Sequence, residues 1–480
     1  MSRQSLRASL WRPHTAALAV TLVAAGLMAT RLASLSLWGD EGFTVQQIKL
    51  PWGAMLADLG RIDYNMALHY IALKGWATLW GTSEAATRSL STVFAVAALP
   101  LVYRLVERLL GSRIALGSVI LLGLNPFFIR LGVTARPFAM VLLWSVIATH
   151  VLLTALESRS RRWWLVYGLL AAVGVHVHMT AALAIAAHGL FALVTERRLT
   201  RFQVEAAAVF GLAGVVPTII FMAGVDTLSW IPPFSAGYAA RIAIAVAGGS
   251  LFAVFLLPLA AVGGLGPRER ANRFRWLPLC WFAAPLGIML ALVPLQSIFV
   301  DWYFAVSVPA LAILAATGID RLLAGRPFPV LATATAVTGA ALILTLAATP
   351  IGERQGWREV ASMMSGRVGS TDAVAFPNAY YRIVAEYYAP VKGGSPYPPG
   401  RPALPEADWG TLTPYELDSI SQSNHDFFEP LLLEWDRVWV VGVGSELDLA
   451  VEWDLTSHGY DEAEIISYDG VEARLYIRNS

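Results

Sequence analysis

Runs of apolar residues about as long as a bilayer is thick recur along most of this chain, and they leave few folds open to it. A helix needs roughly 20 mostly apolar residues to cross the hydrocarbon. Eleven stretches approach that length: about 14–34, 88–108, 114–129, 136–156, 163–179, 180–195, 203–223, 241–262, 276–294, 303–320 and 329–348. Of the 480 residues, 56% are hydrophobic and only 14% charged, and the mean hydropathy is positive. That composition excludes a soluble globular protein of this size. The expected fold class is mainly α: a polytopic transmembrane helical bundle of about 11 spans, with a small C-terminal extracytoplasmic α/β domain.

The arginines orient the bundle. Arg3, Arg7 and Arg12 precede the first stretch, and Arg104, Arg108 and Arg113 follow the second. Arg159, Arg161 and Arg162 follow the fourth, and Arg197, Arg198 and Arg201 the sixth. Arg268, Arg270, Arg273 and Arg275 fill the loop after the eighth, with Arg321 and Arg326 after the tenth. Every second connection is basic, as cytoplasmic loops are. The expected topology is a multi-pass cell-membrane protein with a cytoplasmic N-terminus and its C-terminal domain outside. The first stretch is read as a retained span rather than a cleaved leader. Net charge is +1, so no basic face argues for nucleic acid. Cys280, the single cysteine, sits in an apolar run and cannot form an intramolecular disulfide.

Two parts follow from this pattern. Residues 1–350 form the membrane module, with a long first external loop at 35–87. Residues 351–480, where Pro, Gly, Tyr and acidic residues replace the Ala/Leu/Val runs, form a soluble external domain. There "DAVAFPN", "RVWVVGVG" and "EARLYIRN" read as short strands, and "WREVASMMSG" and "AYYRIVAEYY" have helical spacing. "KGGSPYPPGRPALPEADWG" reads as a surface loop.

The stretch "SLWGDEGFTVQQI" then raises a chemical question, because it sets Asp40 and Glu41 side by side where the first span ends. Carboxylates beside a bilayer are costly when dehydrated, which makes the pair a candidate site. The plainer reading is that Asp40 caps a following helix while Glu41 is solvated in its first turn. What favours a site is the company on the same side: Arg130 and Arg136 in "NPFFIRLGVTARPFAM", His176 and His178 in "GVHVHMTAA", and Arg88. Residues two apart on a helix point to nearly opposite sides, so His176 and His178 are not a zinc pair. His69 and Lys74 in the first external loop read first as solvated loop residues and second as substrate contacts, and Trp302 and Tyr303 are further candidates for substrate contact. The two aromatics suit interfacial anchoring equally. Tyr380, Tyr381, Tyr387 and Tyr388 read as one half-buried helix face, with glycan contact as the minority reading. Asp40 and Glu41 also have the oxygen chemistry that a divalent cation prefers.

Taken in order, "LWGDEGFTVQQI", "NMALHYIALKGWATLWGTSEAATRSLSTVFAVAALPLVYRLVERLLGSR", "LNPFFIRLGVTARPFAMVLL", "VHMTAALAIAAHGL" and "FVDWYFAVSVPALAILAATG" resemble the GT-C superfamily of membrane glycosyltransferases. The likeness is to the bacterial branch related to protein O-mannosyltransferases and aminoarabinose transferases. It covers about residues 35–320, and "GWREVASMM" also recurs in such proteins. The resemblance implies an enzyme that moves a sugar from a polyprenyl phosphate to an acceptor outside the membrane. It implies Asp40 as catalytic base with Glu41 beside it, and Arg136 and His178 as donor-phosphate ligands. The chain departs from the family in three places. Ala135 stands where relatives often have an acid, Trp302-Tyr303 where they have Arg-Tyr, and Asn65 to Tyr70 where they have Pro-Pro-Leu-Tyr-Tyr. Arg130 is the candidate to replace the Arg that is lost at position 302.

The residue types suit that reaction. A base removes the acceptor hydroxyl's proton, an effect worth about 10²–10⁴ in rate. The phosphate leaving group needs preorganised cations and hydrogen-bond donors rather than an acid, and arginine binds phosphate through two parallel hydrogen bonds. The expected partners are the polyprenyl-phosphate-linked sugar, a glycan, lipid or protein acceptor, and the bilayer. Two other readings are a transporter or flippase for a lipid-linked or small polar substrate, and a catalytically inactive family member. Transporters tend to carry their ionisable groups near the midplane in two related halves, whereas here the charges gather at one surface.

Overall fold

In the computed structural model the described residues are 13–60, 63–196, 199–223, 228, 231–265, 273–323, 339, 355–369, 372–376, 379–388, 395–396, 435–444 and 455–479. They fall into two compact units. The first takes 1–32, 64–72 and 88–351; the second takes 33–63, 73–87 and 352–480. The loop that carries Asp40 and Glu41 thus folds in one unit with the C-terminal residues, across a sequence separation of some three hundred positions.

The first unit is helical. Among the described residues, five helices are long and apolar enough to cross a membrane: Glu84–Leu110, Phe138–Ser158, Arg201–Met222, Phe274–Leu292 and Asp301–Leu322. Pro13–Ala29 and Ala181–Glu196 are shorter and apolar. Two stretches read as single spans are broken. Ser112–Gly123 and Pro126–Gly132 meet at 66°, and Ala236–Ala247 and Ser250–Leu265 at 86°, so the count rises to seven if each bent pair is one span. The stretch 329–348 lies, except for residue 339, outside the described residues.

The two breaks have a common cause. Asn125 caps the second half of one pair, its Oδ1 accepting from the amides of Phe127 (2.7 Å) and Phe128 (3.3 Å). Its Nδ2 donates to the carbonyl of Ala247 (3.2 Å), the last residue before the other break. There Gly248 has φ +103°, and a Cβ on it would lie 2.6 Å from Pro126 Cδ. Only glycine meets both demands. Elsewhere small residues let backbones touch, as in other membrane helix pairs. A Cβ on Gly318 would come within 2.0 Å of the Leu259 carbonyl oxygen.

The second unit holds a five-stranded sheet. β1 (Asp372–Ala375), β2 (Ser395–Pro396), β3 (Arg437–Val443), β4 (Tyr460–Tyr468) and β5 (Val471–Arg478) lie in the order β2-β1-β3-β5-β4. β1 runs parallel to β2 and β3, while β5 is antiparallel to β3 and β4. The three predicted strands are present. β4 is additional, joined to β5 by a tight turn in which Asp469 and Gly470 both have positive φ, as Asp-Gly hairpins require. Trp357–Met364 and Ala379–Tyr388 are the predicted helices, and Trp357, Val374, Tyr381, Val384 and Trp439 pack into one core with Leu37 and Val45 of the acidic loop. The Pro/Gly-rich stretch lies outside the described residues apart from 395–396.

Candidate functional site

In the helical unit, the site is built at the ends of its helices. Arg136 stands between the short Pro126–Gly132 helix and the Phe138–Ser158 helix. Pro137 keeps Arg136 out of the helical region, and the Arg136 amide donates to the Thr134 carbonyl at 2.8 Å. His178 leaves the Arg161–Val177 helix in extended conformation, with φ −168° and ψ 139°. His69 comes from the first turn of Ala67–Trp80.

These three form one electrostatic group. The Arg136 charge acts on both His69 and His178, and His69 acts on His178. His69 is 1% exposed, and neither ring nitrogen makes a hydrogen bond of good geometry. Burial, and next the Arg136 charge, pull its pKa from 6.5 down to about 3 against a weak opposing effect of the Ala135 carbonyl. His69 is therefore neutral, one nitrogen bearing a proton and the other a lone pair. Leaving a buried polar group unsatisfied costs about 1–3 kcal/mol.

His178 has a defined tautomer. The Thr180 amide donates to Nδ1 at 3.2 Å, and Thr180 Oγ1 is 2.8 Å from the same atom. An amide donor needs a lone pair, so the neutral ring carries its proton on Nε2. Phe138 (5.2 Å) and Tyr303 (5.6 Å) pack against the imidazole. His176, two residues back, is turned elsewhere: Nε2 donates to the Ala213 carbonyl at 2.8 Å, and the ring meets Tyr64 edge-on.

Arg130 and Trp302 continue the group. Trp302 stacks on Phe138 with centroids 5.1 Å apart. The Arg130 guanidinium lies 4.0 Å from the Trp302 ring centroid and 5.0 Å from that of Phe127, and it pairs with Asp301. Trp302 and Tyr303 are 8% and 6% exposed, so their rings pack inside the protein. Buried Arg88 donates to the Leu32 carbonyl at 3.0 Å.

In the second unit, Gly39–Lys49 is a helix with Asp40 and Glu41 in its first turn. Trp38 stands at the N-cap without a side-chain capping bond, so the plainer reading is corrected: Asp40 lies inside the first turn rather than at the cap, and Glu41 is buried rather than solvated. Both acids are still favoured by the helix dipole. Asp40 is half-buried and Glu41 is buried. Neighbours on a helix diverge by roughly 100°, so the pair does not point one way. Among the described residues no group of three His, Cys, Asp or Glu side chains stands ready to hold a metal ion. Lys74 serves the other end of this helix: its ammonium donates to the Ile48 carbonyl (2.8 Å) and to that of Leu50, 5.1 Å above the Trp52 ring. Burial lowers its pKa.

Sequence reasoning passed over Thr180, Phe138 and Asp301, which orient His178, Trp302 and Arg130. Asp301 carried a signal, being a lone charge in an apolar stretch beside the Trp-Tyr pair. Thr180 and Phe138 carried none, because ordinary residue types fill both positions. Of the tyrosines, Tyr381 packs on Trp357 at 5.4 Å. The hydroxyl of Tyr387 donates to the Thr82 carbonyl at 3.0 Å, and that of Tyr388 donates to Glu84.

Comparison with known proteins agrees with this architecture. Residues 67–221, which contain His69, Arg130, Arg136 and His178 but not Asp40 or Trp302, match the family model of dolichyl-phosphate-mannose-protein mannosyltransferases. No curated protein sequence matches the chain. Among solved structures, ArnT from Cupriavidus metallidurans bound to undecaprenyl phosphate superposes with TM-score 0.62 at 14% identity, over 96% of this chain and 97% of that one. Its apo form gives 0.58 at 13% identity, over 96% and 97%. The Archaeoglobus fulgidus oligosaccharyltransferase, in complex with zinc and sulfate, gives 0.55 at 13% identity, over 95% and 72%. The class so defined is an integral membrane protein with the GT-C fold. The fold is thus shared with these proteins, and residues 67–221, about a third of the chain, match the mannosyltransferase family model.

Proposed function

We propose that this protein transfers a hexose or pentose from a polyprenyl-phosphate donor to a glycan, lipid or protein acceptor on the extracytoplasmic side of the cell membrane, inverting the anomeric configuration. The observation that carries the reading is His69, a neutral imidazole sealed in the protein with no well-formed hydrogen bond at either nitrogen, grouped electrostatically with Arg136 and His178. Such a group calls for a ligand rich in oxygen acceptors and negative in charge, and a phosphate is both. The family match over residues 67–221 and the fold shared with lipid-phosphate-bound ArnT support the same substrate class.

In this reading the acceptor hydroxyl attacks the anomeric carbon while Asp40 takes its proton, and Glu41 adds to the local negative field. The bond between that carbon and the phosphate oxygen breaks, and the electron pair stays on the phosphate. Arg136, the Nε2–H of His178 and the N–H of His69 receive the growing charge, which preorganised donors stabilise without reorganisation. Arg130, held over Trp302, supplies the cation that relatives carry at position 302. A divalent cation is kept as a proposal. Of the acid pair Asp40 alone could hold it, together with substrate oxygens, because Glu41 is buried and turned about 100° away, and the cation would supply positive charge.

The experiment is a strain lacking the gene, its envelope glycans compared with those of the parent. A glycan should vanish, return with the wild-type gene and not return with Asp40→Asn at equal protein level. Full restoration by Asp40→Asn overturns the base assignment. The two bent helix pairs are of the kind found in transporters, so a flippase is the rival. It predicts that donor lipid crosses proteoliposomes containing the protein without being consumed.

A further inference from the structure

We infer that Tyr388 and Arg358 are positioning residues for the acid pair, so that the C-terminal residues 355–388 form the seat of the candidate base rather than an appended acceptor-binding module. The inference rests on the proposed role of Asp40.

Residues 33–38, which lead into the Gly39–Lys49 helix, have no helix or strand of their own. Their backbone groups are instead satisfied by side chains more than 300 positions away. The Leu37 amide donates to the Tyr388 hydroxyl at 2.6 Å. The Gly39 amide, the first of the helix, donates to Gln355 Oε1 at 3.2 Å, an atom that also accepts from Trp357 Nε1 at 2.9 Å. Arg358 Nη2 donates to the Leu35 carbonyl at 3.1 Å, and Ser36 Oγ donates to Glu359 at 3.0 Å. A helix start is defined by what its unsatisfied amides meet. Here they meet the C-terminal segment.

Two of these partners are themselves fixed. Arg358 Nη2 lies 2.6 Å from both carboxylate oxygens of Glu84, and the Tyr388 hydroxyl donates to Glu84 as well. Charge-assisted bonds of this kind are about twice as strong as neutral ones. Burial, with the Glu84 bond adding to it, pushes the Tyr388 pKa far up, so the hydroxyl keeps its proton. One turn into the helix, Gly42 sits so close to Val384 that a Cβ would lie 2.5 Å from Val384 Cγ2. The Ala379–Tyr388 helix therefore clamps both the entry and the first turn on which Asp40 and Glu41 stand. Catalytic groups displaced by about 1 Å can lose on the order of 10² in rate.

The test uses the full-length protein in membranes or detergent. Tyr388→Phe keeps the ring and removes the acceptor of the Leu37 amide. Hydrogen exchange over residues 36–42 should quicken about tenfold, in line with one lost hydrogen bond, while strands β3 and β5 exchange as in wild type. Unchanged exchange over 36–42 overturns the inference. If β3 and β5 also loosen, the same comparison is made with Gln355→Ala, which removes the acceptor of the Gly39 amide. Activity is read with undecaprenyl-phosphate-linked mannose, glucose, galactose and arabinose as probes. For the donor consumed, kcat should fall about tenfold with KM within about twofold. The loss should disappear in the Asp40→Asn background, since groups that act as a unit are not additive. An equal loss in both backgrounds overturns positioning. Wild-type turnover by Asp40→Asn counts instead against the base assignment, and refusal of every donor by the wild type against the transferase reading; in either case the exchange experiment still decides the clamp.

Discussion

The Thr180 amide points its hydrogen at Nδ1 of His178, 3.2 Å away, and this bond decides which ring nitrogen offers a proton to a ligand. The side chain two residues on, Thr180 Oγ1 at 2.8 Å, reinforces it. The imidazole is thereby set as an Nε2 donor without a carboxylate partner.

From this follows a graded outcome at position 178. Glutamine can carry an N–H to about where Nε2 stands, whereas alanine cannot. His178→Ala should lower donor consumption by about 10²-fold, the usual effect of removing one donor to a developing oxyanion. His178→Gln should retain turnover within about tenfold of wild type. Equal activity of the alanine variant and wild type removes His178 from the phosphate site.

Arg130 and Trp302 give a test by exchange. With the guanidinium 4.0 Å from the Trp302 ring, Arg130→Met should cost on the order of 10² in turnover and leave Asp301 without its ion pair. Adding Trp302→Arg to that variant returns a cation to the same place and should recover most of the loss. Trp302→Arg alone sets two guanidinium groups within a few ångströms and should lower thermal stability. Steady-state rates and melting in detergent separate these outcomes.

His69 gives a pH dependence with a definite sign. Its folded pKa, about 3, is below the ordinary 6.5. Between these values the unfolded chain binds the proton that the native state refuses, so this contribution is complete above pH 6.5 and is lost as pH falls toward 3. His69→Gln should therefore melt with a shallower decline than wild type between pH 6.5 and 4. Parallel melting curves in that window would show that His69 is not held neutral by its surroundings.

The bent helix pairs give a structural prediction. Asn125→Ala removes a helix cap, typically worth about 1 kcal/mol, and leaves the Ala247 carbonyl without its donor, for a total of about 2–4 kcal/mol. Gly248→Ala meets both a φ of +103° and the Pro126 ring. Both variants should melt at lower temperature in detergent, and Gly249→Ala, which faces open space but shares a positive φ, should fall less than Gly248→Ala.

Much of the architecture was legible in the residues. Apolar length and arginine spacing announced a helical membrane protein, and the strands at 372–375, 437–443 and 471–478 were visible from their β-branched and apolar content. The breaks at Asn125–Pro126 and Gly248–Gly249 were present as turn chemistry, yet hydropathy averages over them. Within the site, Arg136 and His178 stood out because charged and imidazole groups are scarce in such a chain, whereas His69 read first as a solvated loop residue and only its burial corrects that. Trp302 looked equally suited to an interfacial anchor until its packing on Phe138 was known.

By itself the sequence determined the class of the protein, because lipid satisfies no backbone polar group and an apolar run of that length must close its own hydrogen bonds as a helix. Tertiary structure decided what no local pattern encodes. It set the neutral state of His69 by burial, the tautomer of His178 by one amide, and the dependence of the Gly39–Lys49 helix on Tyr388, Arg358 and Gln355. Burial, tautomer and helix entry are fixed by which distant groups end up within about 3 Å, and periodicity along a chain carries no record of that.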